Sequence, residues 1–165
     1  MPDLVPATDR RSLYALAGFV LVCFGIAAIG GAVTTPKIGG WYAALAKPDF
    51  QPPNWVFAPV WNVLYALIAL AGWRVWRVKG KPLERRMAFR AYGIQLALNL
   101  AWSIAFFGFE SPLAGMAIIL SLVTMIVWTI ALFWRVDRAA ALMLLPYAAW
   151  VGYATALNVA IVALN

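Results

Sequence analysis

SPLAGMAIILSLVTMIVWTIALFW, residues 111–134, runs for 24 positions without one charged side chain. As a helix it rises about 36 Å, enough to cross a hydrocarbon layer of about 30 Å. Its first two residues, Ser111 and Pro112, are a favourable N-cap and a proline suited to the first helical position. The sequence therefore specifies a membrane-spanning helix with a defined start. Working outward, four more stretches have the same character: Leu13–Thr35, Trp55–Trp73, Ala91–Phe109 and Ala139–Asn165. None of them contains Asp, Glu, Lys, Arg or His. The expectation is an all-α membrane protein, a five-transmembrane-helix bundle. Residues 1–12 form an N-terminal tail, and residues 13–165 one domain.

Composition agrees. Of 165 residues, 65% are apolar, against about 45–50% in soluble domains. A globule of this size has too little interior to bury that excess, so lipid is its natural solvent. Arg10 and Arg11 precede the first run and suggest a secretory or twin-arginine signal. That run is longer than the roughly 7–15 apolar residues of a signal-peptide core, which favours a retained helix. The connectors have local causes. Gly80 and Pro82 end the second helix and its basic extension, a tight hairpin forms around Glu110, and Asp137 can cap the fifth helix.

Eleven of the 13 Lys and Arg residues fall in the tail, the second loop and the fourth loop, leaving only Lys37 and Lys47 on the other side. The positive-inside rule places the N-terminus in the cytoplasm and the C-terminus outside. The net charge of +7 reflects this topology rather than nucleic-acid binding. The basic loop can in addition meet anionic lipid headgroups.

Several chemistries are excluded. Histidine is absent, and Cys23 is the only cysteine, so imidazole ligation of metal or haem, intramolecular disulfides and cysteine clusters are ruled out. No ionisable residue lies within a span, which argues against a proton relay or an ion-coupled pump. No phosphate-binding loop or dinucleotide fingerprint is present.

What the spans do carry is aromatic and amide. Gln95, Asn99 and Ser103 recur at spacing four on one face of the third span, beside Trp102. A polar stripe in a lipid-embedded helix either bonds other helices or lines a pocket, and the two are compatible. Trp61 and Tyr65 share a face of the second span, with Asn62 nearby. In the fifth span Pro146, Trp150, Ala154 and Asn158 repeat at spacing four, and Pro146 is expected to bend the helix. Trp61, Trp102 and Trp150 lie too deep for interfacial anchors, which leaves core packing or ligand stacking. Such a set suits a flat, apolar, partly polar molecule such as a porphyrin or a sterol. Gly18, Gly25 and Ala32 form a small-residue stripe on the first span, for internal packing or for a second copy.

The connector around WYAALAKPDFQPPNWVFAPVW, residues 41–61, holds three Trp and four Pro. Most connectors are short and polar. This one is built to lie against the bilayer surface or to cover a cavity between helices.

At these residues the chain resembles the translocator protein family, also called tryptophan-rich sensory proteins or peripheral benzodiazepine receptors (TspO/MBR). The likeness covers about residues 20 to 160. It rests on Trp41-Tyr42, Lys47-Pro48, Pro52-Pro53, Trp55, Phe57, Pro59 and Trp61, on Gln95, Asn99, Trp102 and Phe106-Phe107, and on Pro146-Tyr147, Trp150, Ala154 and Leu157-Asn158. The resemblance implies a five-helix bundle, usually a homodimer, whose first loop (residues 36–54) lids a pocket. It implies binding of porphyrins such as protoporphyrin IX, of synthetic isoquinoline and benzodiazepine ligands and, in mammalian members, of cholesterol. Position by position it implies Tyr42 and Pro53 in the lid, Trp61 and Tyr65 on the second helix, Gln95, Asn99 and Trp102 on the third, and Trp150 and Ala154 on the fifth. Some bacterial members promote light- and oxygen-dependent porphyrin breakdown through two tryptophans that match Trp61 and Trp150, so these are the candidate catalytic residues.

Two departures stand out. Gln51 occupies a position that is aromatic in several relatives, and no basic residue follows Arg138, so the mammalian C-terminal sterol motif is missing. With no targeting extension recognised, a bacterial inner-membrane protein is expected. Three functions follow: a tetrapyrrole-binding sensor, regulator or carrier needing no cofactor and no metal; a porphyrin-degrading photoenzyme; or a lipid-binding membrane scaffold.

Overall fold

The computed structural model describes residues 4–165. Helix α1 spans Arg10–Ile38, α2 Trp41–Ala44, α3 Phe57–Arg77, α4 Pro82–Ser103, α5 Pro112–Val136, α6 Arg138–Met143 and α7 Leu145–Leu164. A 3₁₀ turn over Asn54–Val56 leads into α3, and a π-helical turn over Ile104–Gly108 extends α4. Five helical stretches are long and apolar enough to cross a membrane: α1, the turn with α3, α4 with its π turn, α5, and α6 with α7. The protein is an integral membrane five-helix bundle.

The starts and stops follow side-chain chemistry. Asp9 caps α1 through the Arg11 amide at 3.1 Å. The Ser111 hydroxyl accepts from the Ala114 amide at 3.3 Å, and Pro112 opens α5. The Asp137 carboxylate accepts from the amides of Ala139 at 2.9 Å and Ala140 at 3.3 Å. It also pairs with Arg74 at 3.0 Å, tying the end of α3 to the α5–α6 corner. Gly80, at φ +73°, supplies the left-handed turn between α3 and α4.

Three boundaries differ from the sequence reading. Helix α1 continues through Pro36 to Ile38, so the first connector begins at Gly39 rather than at residue 36. Proline in a last turn removes only one backbone bond, and the helix survives it. Helix α4 begins at Pro82, well before the apolar run at Ala91. Counting apolar residues finds the part in lipid and misses its helical continuation beyond. Finally, Pro146 does more than bend the last span: the helix breaks at Leu144 and restarts at Leu145, with Pro146 in the new first turn, where its missing N–H costs nothing.

The core lies toward the basic end of the bundle. Ile68, Ala69, Ala71, Ala88, Phe133, Ala140 and Ala141 are fully buried. The alanines let backbones approach closely, as membrane helices require. At Gly72 an added Cβ would lie 2.8 Å from the Phe19 ring and 2.9 Å from the Tyr92 ring, so a larger residue there would push both rings aside. The Tyr92 hydroxyl donates to the Ile68 carbonyl at 3.0 Å and lies 3.3 Å from the Cys23 sulfur. Outward-facing Leu21, Val63, Leu120 and Val127 present the hydrocarbon-compatible surface.

Candidate functional site: an aromatic chamber under a latched connector

At the opposite end the helices part around a chamber of about 290 Å³, at the small end of ligand cavities. Its walls come from α1, α3, α4 with its π turn, and α7, and its roof from α2. Trp61 and Tyr65 face it from α3, Asn99, Trp102 and Ser103 from α4, and Ala154, Leu157 and Asn158 from α7. Tyr42 closes the top, and Phe106 and Phe107 line it from the π turn.

Aromatic packing fixes the shape. The Trp102 and Phe106 rings stack at 5.4 Å, and Phe106 meets Phe107 edge to face at 4.8 Å. Tyr42 rests against Phe107 at 5.4 Å, and Trp41 against Phe106 at 5.6 Å. The π turn is what allows this. One extra residue in the turn rotates the helix end, so that Ala105, Phe106 and Phe107 are all buried in succession. Gly115 makes room, since a Cβ there would lie 2.8 Å from the Phe106 ring.

A hydrogen-bonded relay runs behind the wall. The Tyr65 hydroxyl donates to Asn99 Oδ1 at 2.5 Å, Asn99 Nδ2 donates to the Tyr147 hydroxyl at 3.1 Å, and Tyr147 donates to Gln95 Oε1 at 2.9 Å. Gln95 Nε2 is buried and has no partner. Separately, the Trp102 indole donates to Asn158 Oδ1 at 3.1 Å, and Asn158 Nδ2 donates to the Pro112 carbonyl at 2.8 Å. These amides orient the aromatic wall.

The roof is tied down by polar groups. Ala46 donates its amide to Asn165 Oδ1 at 3.0 Å, and Asn165 Nδ2 returns a bond to the Ala46 carbonyl at 3.0 Å. Lys47 Nζ donates to the Ala43 carbonyl at 3.0 Å and the Leu45 carbonyl at 2.8 Å, and lies 5.1 Å from the Tyr42 ring centre. Burial first, then the neighbouring Tyr153, raises the Tyr42 phenol above its ordinary value. Beside the roof, Lys37 pairs with Glu110 at 2.7 Å.

Six of the nine residues singled out from sequence line the chamber: Tyr42, Trp61, Tyr65, Asn99, Trp102 and Ala154. Gln95 sits behind the wall, at the end of the relay. Pro53 precedes the 3₁₀ turn and is exposed, and its neighbour Asn54 takes the lining position. Trp150 faces a separate, more open groove of about 700 Å³ between α3 and α7. Phe57, which lines the chamber, packs on Trp150 at 5.7 Å. Sequence reasoning missed the face contributed by α1, where Gly30, Gly31, Thr34 and Thr35 reach the chamber. Their recurrence at spacing four was the available signal. Among the described residues, no three His, Cys, Asp or Glu side chains come together as a metal site would need.

A family model described as "TspO/MBR family" matches residues 19–164. Tryptophan-rich protein TspO of Chlorobaculum tepidum is 42% identical over 94% of this chain and 99% of its own length. Protein CrtK of Rhodobacter capsulatus is 36% identical over 93% and 94%, respectively. Translocator protein of Bos taurus is 34% identical over 95% of this chain and 88% of its own.

Proposed function

Because the chain belongs to the TspO/MBR family, we propose that it binds a tetrapyrrole of the protoporphyrin IX class, or a similar flat apolar molecule, in the aromatic chamber. Its role is that of a sensor or regulator, or of a carrier. The observation that carries this reading is the chamber wall itself. Trp61, Trp102, Tyr42 and Phe106 offer ring faces and edges, while Asn99 and Asn158 offer amides at defined positions. Stacking on aromatic rings needs no metal ligand, which suits a chain with no histidine. The ligand lies beneath the roof formed by α2, with Tyr42 over it.

The same reading gives the chain its setting: a bacterial inner membrane, with the basic end and N-terminus in the cytoplasm and the chamber and C-terminus outside. It functions as a homodimer. Gly18 and Gly25 meet nothing within 4 Å inside the bundle, which leaves that face of α1 free for a second copy.

The position of Trp61 supports one further reading, porphyrin photodegradation, because an indole on the chamber wall can donate an electron to an excited ring. One experiment tests both. Protoporphyrin IX is titrated into the purified protein in the dark and then under illumination, following Trp fluorescence and porphyrin absorbance. Saturable one-to-one quenching with no new absorbance band is the result expected of a sensor or carrier. A product band growing faster than in detergent alone shifts the assignment to an enzyme. Absence of saturation refutes both.

A further inference from the structure

We propose that the lipid-facing side of α4 at the basic end is a binding site for an anionic phospholipid, distinct from the chamber. Arg86, Arg90, Gly93 and Ala97 are all exposed. Their spacings of four, three and four place them on one helix face. Arg86 and Arg90 stand about 6 Å apart along the axis, and Ala97 lies about 10 Å further into the span. The two guanidiniums therefore sit above a shallow track floored by residues with almost no side chain. At Gly93 an added Cβ would meet nothing within 4 Å, so the track is open. Ile94, 49% exposed, forms one bank of it.

Two further observations give the occupant its charge and its place. Leu83 is 66% exposed and Met87 is 42% exposed, on the same face beyond Arg90. Apolar side chains there are at home in a headgroup layer and out of place in water, so the arginines stand at headgroup level. Compensating acid is scarce at this end. Asp137 is taken by Arg74, the only ion pair there among the described residues, Asp9 caps α1, and Glu84, in the first turn of α4, is a single carboxylate beside Arg85, Arg86 and Arg90. Arginine forks match phosphate oxygens, and basic residues at a membrane surface favour anionic lipid. A phosphate between Arg86 and Arg90, with an acyl chain over Gly93 and Ala97, satisfies both halves of the site.

The test uses the full chain, purified in detergent and exposed to equimolar phosphatidylglycerol and phosphatidylcholine with matched acyl chains, with retained lipid counted by native mass spectrometry. Wild type is expected to retain phosphatidylglycerol in preference. Arg86→Gln with Arg90→Gln should lower that retention roughly 30-fold, about fivefold per arginine. Gly93→Leu keeps both charges and fills the track, and it should also lose the lipid. Arg10→Gln with Arg11→Gln removes the same charge elsewhere and should leave retention unchanged. Thermal unfolding confirms that each variant is folded. Equal retention of the two lipids by wild type overturns the proposal. So does an equal loss in the Arg10/Arg11 variant, which would mean diffuse charge, or full retention in Gly93→Leu.

Discussion

Replacing Asn99 by Ala tests the central claim about the chamber, that a buried amide relay sets the positions of its aromatic wall. Asn99 is 2% exposed and joins two tyrosines from different helices, Tyr65 on α3 and Tyr147 on α7. The substitution deletes both bonds. Tyr147 still donates to Gln95 at 2.9 Å, so it loses an incoming donor but not its acceptor. Tyr65, 5% exposed, is left with an orphaned hydroxyl at the chamber wall. Hydrogen bonds between membrane helices average about 0.6 kcal/mol and reach about 1.7. Two of them, with the penalty of the orphaned hydroxyl, give about 1–3 kcal/mol of destabilisation. The assay is a double-mutant cycle with Tyr65→Phe, read by denaturant unfolding in micelles. The expected coupling between the two sites is about 0.6–1.7 kcal/mol. Single losses that add within about 0.3 kcal/mol would refute the relay, because residues that act independently show no coupling.

Further outcomes follow from the same geometry. Trp61→Ala should weaken protoporphyrin IX binding more than tenfold, from the loss of about 1.5–3 kcal/mol of apolar contact. Trp150→Ala should change it less than about threefold, since that indole faces the groove; fluorescence titration compares the two. Asn165→Ala removes both bonds that hold Ala46, and hydrogen exchange of the amides of residues 41–46 should quicken at least about fivefold. Gly115→Ala forces the Phe106 ring aside from 2.8 Å. It should cost about 1–3 kcal/mol of overpacking, partly offset by about 1 kcal/mol of helix propensity, read as a lower unfolding midpoint. Lys37→Gln breaks an ion pair whose side chains are 37% and 40% exposed, and it should shift stability by less than about 1 kcal/mol.

The sequence by itself determined the class of fold. Five uncharged runs of sufficient length leave no other way to satisfy backbone groups in lipid than five helices. Ser111-Pro112 and Asp137 marked helix starts because capping acts within three residues of chain. The stripe of Gln95, Asn99 and Trp102 was legible because helical periodicity is a local property. The tertiary structure alone decided which of these side chains share a cavity. Gln95 and Asn99 lie on one face, yet one ends a relay behind the wall and the other lines the chamber. Trp61 and Trp150 look equivalent in sequence, yet Phe57 stands between Trp150 and the chamber. The contribution of α1, the π turn that buries Phe106 and Phe107 together, and the clasp of Asn165 on Ala46 all depend on residues distant in the chain. Spacing four marks a face on α1, but that this face meets the chamber, like the other two positions, follows only from how helices pack against one another.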